Sequence, residues 1–461
     1  MEEEDSKPET LLHPYELRFS DLLLLSSDEP LSSSSDQHQI QRLESITSCI
    51  MENLGPNGPG LVAITDVPAA SSLRTSLLRF APQLALLDFR HLNRLLKENG
   101  LGSDVPLKNL DRTVSPFTMN LKYGQGVLAS SGKAYQSNVE DCMVTERCEE
   151  SLASNIKILR SIFEVLGSLM IELGCRLGRV CDRVIGGQDL EQSLFEACTA
   201  KGRLMHYHSD FDNLFLQESS KRKKSTNGHV SAKSLSNAAR GTENLLRNNQ
   251  TSAGSNGNIG NANESKLWQQ WHYDYGIFTI LTEPMFSLPF LSRTTSKDGF
   301  SSVLHQELPS PSGHSYLQIY HPIKNCVFLV KVPPDSFLVQ VGESADILSK
   351  GKLRATLHSV SRPSRPKYLS RENFVVFLHP AWSKTFSLLN YPVDGWCSDD
   401  QKLHGCTEES CTMLESGKLP QEIYKIVPPL STRLKEGMTF AEFSKETTKQ
   451  YYGGGGLQSK R

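Results

Sequence analysis

The sequence HYDYGIFTILT, residues 272–282, joins a histidine and an aspartate two positions apart to a run of apolar and β-branched residues. β-Branched and aromatic residues favour strands, and on a strand residues i and i+2 point to the same side. His272 and Asp274 are therefore expected to share one face at the start of a strand. This placement suits metal ligands at the mouth of a β-barrel, and it equally fits a polar strand start that binds no metal.

Two other tripeptides have the same His-x-acid pattern, because 13 histidines and 51 acidic residues in 461 positions produce such matches by chance. They are His208-Ser209-Asp210 and His305-Gln306-Glu307. Neither one opens a run rich in β-branched and aromatic residues, so residues 272–274 are preferred. If that choice fails, His208-Ser209-Asp210 is the first alternative.

A further histidine, His358, lies in the strand-like run LRATLHSV, residues 353–360. Two imidazoles and one carboxylate can hold iron(II) on one face and leave the opposite positions open for a co-substrate and dioxygen. We therefore predict that His272, Asp274 and His358 are the metal ligands and form the catalytic centre.

The next predicted strand, RENFVVFL at residues 371–378, places an arginine on the same face as three uncharged residues. A buried charge without a partner is very costly, and arginine binds carboxylates through two parallel hydrogen bonds. Arg371 is therefore expected to bind a carboxylate ligand, unless it pairs with a protein acid or points to solvent. A rival arginine, Arg362, lies in a proline-containing loop and is ranked lower.

Together these motifs resemble those of the plant-type 2-oxoglutarate- and iron(II)-dependent oxygenases, the isopenicillin N synthase-like group. His272 and Asp274 match the H-x-D motif of that family, and His358 matches its distal histidine. Arg371 matches the co-substrate arginine, and Pro380 follows it at the family's spacing. Similar segments at 60–68 and 450–452 extend the resemblance over nearly the whole chain.

Two positions depart from the family pattern. The family's N-x-Y motif is matched by Tyr207, but its asparagine is replaced by Met205. The serine of the family's R-x-S motif is Asn373, which can still donate a hydrogen bond. The resemblance therefore implies that Tyr207, Arg371 and Asn373 hold the co-substrate, with its affinity as the property most affected by the departures.

The resemblance also implies a fold and a reaction. The fold is a mainly β core with flanking helices, a double-stranded β-helix or jelly roll that binds Fe(II), 2-oxoglutarate and O2. The reaction oxidises, and by default hydroxylates, an unidentified small organic substrate with release of succinate and CO2. The alternative is a catalytically weakened jelly-roll protein with a binding or scaffold role. A zinc hydrolase is disfavoured because the sequence has no HExxH motif.

Composition and hydrophobic pattern divide the chain into regions. Residues 1–145 form an N-terminal region, and residues 146–200 carry a long buttressing helix whose apolar residues recur in steps of four and three. Residues 201–390 are the predicted jelly-roll core, and residues 391–461 are a C-terminal segment. Within the core, residues 219–264 are rich in Ser, Asn, Gly and Lys and are expected to be a disordered insertion.

A second insertion, near residues 291–313, is expected to be a loop on the barrel.

Composition agrees with a soluble enzyme. A net charge of −2 gives no basic field to attract nucleic acid, and no apolar run approaches the ~18 residues of a membrane span. The acidic start MEEED lacks signal-peptide features, and ten cysteines without a regular framework suit a reducing compartment. We expect a cytoplasmic monomer that binds a small-molecule substrate, with nuclear import through the basic run at 221–224 as a lesser alternative.

Overall fold

The computed structural model describes residues 10–28, 37–124, 126, 152–224, 267–295, 301–321, 323–364, 366, 368–392, 423 and 425–452. These residues form two β-sheets with helices packed outside them. No described helix combines the length and the apolar character that crossing a bilayer requires.

The smaller sheet has five strands. They are β1 (Leu11–Leu12), β6 (Leu267–His272), β10 (Leu317–His321), β11 (Cys326–Val330) and β13 (His358–Ser361). Their order across the sheet is β1-β11-β10-β13-β6, and the pairs are antiparallel except for β1 with β11. The pairing of β13 with β6 sets His358 opposite His272.

The larger sheet contains the remaining described strands. They are β2 (Tyr15–Arg18), β3 (Leu61–Thr65), β4 (Val114–Lys122), β5 (Thr199–Tyr207), β7 (Phe278–Thr282), β8 (Met285–Thr295), β9 (Ser301–Leu308), β12 (Phe337–Val341) and β14 (Ser370–Leu378). Seven of them follow the order β2-β3-β12-β7-β14-β5-β4, while β8 pairs with β14 and β9. The pairing of β14 with β5 sets Arg371 opposite Tyr207.

An apolar interior lies between the two sheets. Both sheets contribute to one buried cluster, which includes Leu61, Met205, Leu338 and Val375 from the larger sheet and Trp268, Leu317, Ile319, Val330 and Val360 from the smaller. Consecutive strands change sheet from β6 to β7 and at each step from β11 to β14. This succession fits a jelly-roll core.

Helices flank the sheets. They are α1 (Phe19–Ser26), α2 (Gln37–Leu54), α3 (Ala70–Leu78), α4 (Phe80–Ala85), α5 (Phe89–Glu98), α6 (Leu152–Ile185), α7 (Asp189–Ala197), α8 (Asp210–Lys224), α9 (Glu343–Leu348), α10 (Leu430–Arg433) and α11 (Phe440–Tyr452). From Ile156 onward the apolar stripe of the 34-residue helix α6 is buried, and residues 169–178 are buried on every side.

Helix α6 packs on the outer face of the larger sheet. Its Phe163 meets Phe374 of β14 edge to face, with 4.7 Å between the ring centroids. A Cβ atom at Gly202 of β5 would lie 2.5 Å from the Phe163 ring, so the missing side chain permits this close approach. Phe374 therefore faces the helix, while Val375 faces the interior, as the alternation of a strand requires.

The expectation of a loop near residues 291–313 is wrong for much of that range. Residues 291–295 belong to β8 and residues 301–308 to β9, and the two strands form an antiparallel pair. Strand β8 also pairs with the end of β14. Each of these strands finds hydrogen-bond partners for its backbone in a neighbouring strand. The local sequence does not predict this pairing, so the tertiary contacts decide the structure here.

The expected start of the insertion at residue 219 is also wrong, because α8 continues to Lys224. A capping box starts this helix: the Asp212 carboxylate accepts a hydrogen bond from the Ser209 backbone at 2.7 Å, and the Ser209 hydroxyl accepts one from the Asp212 backbone at 3.2 Å. Residues 225–264, the rest of the predicted insertion, lie outside the described residues.

Candidate functional site

Three side chains from separate positions in the sequence converge at one end of the sheet pair. His272 ends β6, His358 begins β13 opposite it, and Asp274 follows β6 by two residues. Asp274 lies 3.8 Å from the Nε2 atom of each histidine, through Oδ1 to His272 and through Oδ2 to His358. The imidazole centroids are 4.2 Å apart, so the three side chains surround one point.

Backbone hydrogen bonds orient both imidazoles. The Nδ1 atom of His272 lies 2.7 Å from the carbonyl oxygen of Gln270, and that of His358 lies 3.0 Å from the carbonyl oxygen of Thr356. A carbonyl only accepts, so each Nδ1 carries the proton and each Nε2 presents a lone pair. This tautomer suits metal ligation at Nε2.

Electrostatic interactions favour the protonation states in which these side chains bind a metal ion. Burial and the neighbouring His358 lower the pKa of His272 to about 4, so this imidazole is neutral at pH 7. Burial opposes the ionisation of Asp274, but the two imidazoles and a 2.7 Å hydrogen bond from the Thr279 hydroxyl outweigh it and lower its pKa. The site thus combines a neutral nitrogen donor, at His272, with an ionised oxygen donor.

A turn on α9 fixes the backbone of Asp274. The Glu343 backbone N–H donates to the Asp274 carbonyl at 2.8 Å. A Cβ atom at Gly342 would lie 2.2 Å from the carbonyl oxygen of Gly276, so only glycine permits this approach.

Arg371 lies in the interior near these groups. It is 2% exposed, and its Nε–H donates to the carbonyl of Ser315 at 3.1 Å. Its guanidinium lies 5.1 Å from the ring centroid of Tyr207, its partner across the strands. The Nη1 atom is buried without a hydrogen-bond partner, and among the described residues no carboxylate lies within ion-pair distance. Both alternatives for Arg371, a protein acid or solvent, are therefore excluded for the described part of the chain.

Hydrogen bonds connect Tyr207 to the histidine cluster. The Tyr207 hydroxyl donates to the side-chain oxygen of Gln269 at 2.9 Å, and the Gln269 amide donates to Nε2 of His272 at 2.9 Å. A metal ligated by His272 would replace this second hydrogen bond. The arginine, the tyrosine and the candidate ligands thus form one continuous polar group in an otherwise apolar interior.

The two positions that depart from the family pattern have different surroundings in the structure. Met205 is buried in the apolar interior. The side-chain oxygen of Asn373 accepts a 2.7 Å hydrogen bond from the Thr282 hydroxyl. Its assignment to the co-substrate remains a prediction.

Sequence reasoning missed Arg203, which shares the inward face of β5 with Met205 and Tyr207. It pairs with Asp104 at 2.8 Å, and its guanidinium lies 4.5 Å from the ring centroid of Phe377. Its positive charge contributes to the lowered pKa of Asp274. The i, i+2, i+4 spacing from Tyr207 was the signal that would have found it.

The rival residues take other roles. Arg362 forms an ion pair with Asp210, so it is engaged away from the interior. Asp210 is therefore not the carboxylate that accompanies His208, which lies instead beside His206 and Asp212. Glu307 of the third His-x-acid tripeptide lies 3.4 Å from Arg74.

No protein-family model and no curated protein matches this sequence. Solved structures similar to it include a full-length Neurospora crassa protein in complex with alpha-KG and 5-formyluracil, at 14% identity and a TM-score of 0.44, with 92% of this chain and 99% of that chain covered. A dioxygenase for auxin oxidation in rice matches at 14% identity and a TM-score of 0.41, with 81% and 85% covered.

A putative 2OG-Fe(II) oxygenase family protein from Caulobacter crescentus matches at 11% identity and a TM-score of 0.44, with 95% and 98% covered. At these scores the similarities do not decide what this chain does, and the functional argument depends on the geometry of the site.

Proposed function

We propose that this protein is a 2-oxoglutarate- and Fe(II)-dependent oxygenase. The observation that carries the proposal is the buried Arg371, whose Nη1 lacks a partner, joined through Tyr207 and Gln269 to a cluster of two histidines and one aspartate. A buried unpaired guanidinium calls for an anion, and a 2-His-1-carboxylate cluster suits Fe(II) with open positions. 2-Oxoglutarate meets both demands, because its far carboxylate matches the arginine and its 2-oxo acid end chelates a metal.

The donor set fits the metal. His272 and His358 present Nε2 lone pairs held by their backbone hydrogen bonds, and Asp274 is ionised and held by Thr279. These three side chains would hold Fe(II), which when bound supplies the activation of O2 for oxidation of a C–H bond.

The other residues position the co-substrate and exclude water. Arg371 would bind the far carboxylate through two charge-assisted hydrogen bonds, and the Tyr207 hydroxyl would add a third in place of its hydrogen bond to Gln269. Asn373 is the proposed further contact of this carboxylate. The apolar interior around them keeps water from the reacting groups and strengthens the electrostatic contacts.

The finer assignments belong to the same proposal. The substrate is a small organic molecule, hydroxylation is the default outcome, and succinate and CO2 are the co-products. Residues 201–390 are the proposed catalytic core, and a cytoplasmic monomer of the plant-type group is the proposed context. Arg203 and Phe377, at the same interior, are the proposed first contacts for the substrate.

Purified protein with Fe(II), O2 and 2-oxoglutarate tests the activity, with succinate as the readout. Substrate-independent turnover is measured first, and a metabolite-scale panel then identifies compounds that accelerate it. We expect iron-dependent succinate formation that Asp274→Ala abolishes and Asp210→Asn, at the rival tripeptide, retains. Absence of both metal binding and succinate formation in the folded protein would refute the proposal in favour of the scaffold alternative.

A further inference from the structure

A second cluster of metal-ligand side chains lies on the opposite face of strand β5. His206 and the following His208 flank Tyr207, so they point away from the interior that Tyr207 faces. Asp212 reaches them from the first turn of α8, and one ligand atom from each residue lies within 4.8 Å of the others. All three side chains are 1% exposed or less.

Hydrogen bonds outside the cluster leave ligand atoms aimed into it. Nδ1 of His206 lies 2.9 Å from Glu372, and Nε2 of His208 lies 2.7 Å from the Ser115 hydroxyl. Nδ1 of His208 is buried and has no hydrogen-bond partner, whereas Nε2 of His206 faces Oδ2 of Asp212 at 3.3 Å. The Oδ1 atom of Asp212 is buried and unpartnered as well.

The charges in the cluster call for a cation. Asp212 and Glu372 are both fully buried, and among the described residues no lysine or arginine forms an ion pair with either. His206 lies between the two carboxylates, 3.3 Å from Asp212 and 2.9 Å from Glu372. A proton on His206 would partly balance the charge, yet it leaves His208 Nδ1 and Asp212 Oδ1 without partners, and a divalent cation engages both.

A further histidine, His305 of β9, lies in the neighbourhood of these charges. Both of its ring nitrogens are buried and have no hydrogen-bond partner. They are not among the ligand atoms that lie within 4.8 Å of one another, so His305 is not counted as a ligand.

We infer that His206, His208 and Asp212 form a second metal site that takes a tetrahedral divalent cation of the zinc class. Imidazole nitrogens and a carboxylate oxygen are ligands that zinc takes, and a water can complete the tetrahedron. The three ligand atoms lie within 4.8 Å of one another, and the two imidazole planes are 83° apart.

Glu372 holds His206 in the way that second carboxylates commonly hold zinc-binding imidazoles. Such an ion ties β5 and α8 directly, and β14 through Glu372. It is separate from the proposed iron site, which lies on the other face of β5.

Cobalt substitution tests this site, because tetrahedral Co²⁺ absorbs visible light far more strongly than six-coordinate Co²⁺. Protein stripped of metal with a chelator is titrated with Co²⁺, and absorbance and bound metal are measured. We expect two ions per chain and an intense tetrahedral band. The double variant His272→Ala/His358→Ala should lose one ion and keep the band, so failure of the proposed iron site and failure of this site give different results.

Two matched substitutions show which residues bind the Co²⁺ ion that produces the band. Asp212→Asn keeps the shape of the side chain and should lose the band, whereas Asp210→Asn, two residues away and paired with Arg362, should keep it. If Asp212→Asn does not fold, His208→Gln is the second test and should weaken Co²⁺ binding at least about tenfold. The inference is overturned if the intact protein gives no tetrahedral band, or if the band survives in whichever of these two variants is folded.

Discussion

Replacing Arg371 with glutamine separates recognition of the co-substrate from binding of the metal. The arginine donates a hydrogen bond to the Ser315 carbonyl, and its Nη1 has no partner. Charge-assisted hydrogen bonds contribute roughly 1.5–3 kcal/mol each, and two of them to a carboxylate are partly offset by desolvation. We therefore expect Arg371→Gln to weaken 2-oxoglutarate binding by about 2–4 kcal/mol, which is about 30- to 700-fold in Kd.

Isothermal titration of protein loaded with Mn²⁺, a stand-in for Fe(II) that avoids turnover, measures this loss. A second ligand, 2-oxopentanoate, has the same chain length but a methyl group in place of the far carboxylate. It should bind the intact protein weakly and lose almost nothing in Arg371→Gln. The difference between the two ligands isolates the arginine–carboxylate contact as a double-mutant cycle does.

The affinity for Mn²⁺ should not change, because Arg371 touches none of the candidate ligands. Arg362→Gln is the matched control, since Arg362 is paired with Asp210 and should leave both ligands unaffected. Equal losses for the two ligands, or a larger loss in Arg362→Gln, would refute the reasoning. Without ligand, Arg371→Gln should be about as stable as the intact protein or more so, because an incompletely paired buried charge is removed.

Three further substitutions test the surroundings of the site. Asp274→Ala should weaken Mn²⁺ binding at least about 100-fold by titration, and unchanged affinity would contradict its role as a ligand. Burial raises the pKa of Asp346 to about 7, so its folded form favours the proton and loses stability as pH rises from about 4 to 7. Asp346→Asn should therefore gain on the intact protein between pH 5 and pH 8 in urea unfolding, by at most about 3 kcal/mol, and a pH-independent difference would count against this. Gly342→Ala should cost about 1–3 kcal/mol or more through its backbone clash, while Gly187→Ala, which meets nothing within 4 Å, should cost little, as paired urea titrations will show.

Local periodicity predicted much of what positions the site. Alternation along β14 placed Arg371 and Val375 on one face, and the inward position of Val375 is observed. The apolar steps of four and three predicted a long helix, observed as α6. Such features are encoded within a few residues, so a single sequence suffices to find them.

Pairing between distant segments was not predictable in the same way. Nothing local to Tyr207 says that Arg371 lies opposite it, or that Gln269 links it to His272. The β8–β9 hairpin was missed for the same reason, because its strands are stabilised by their neighbours rather than by their own pattern. A search for His-x-acid tripeptides also missed Asp212, which follows His208 by four residues and reaches it only because a helix begins between them.

The two faces of the β5–β14 pair explain why a buried charged cluster is retained behind the proposed co-substrate site. Arg371 lies opposite Tyr207 on the inner face, and Glu372 lies opposite His206 on the outer face. A slip of one residue between these strands would turn every side chain of one strand to the other face. Glu372 would then enter the apolar interior without a cation, and Arg371 would leave it. Such an uncompensated buried charge costs several kcal/mol. In the observed pairing Glu372 instead contacts His206 at 2.9 Å, so this contact disfavours the slipped pairing. In the slipped pairing the co-substrate arginine could not function.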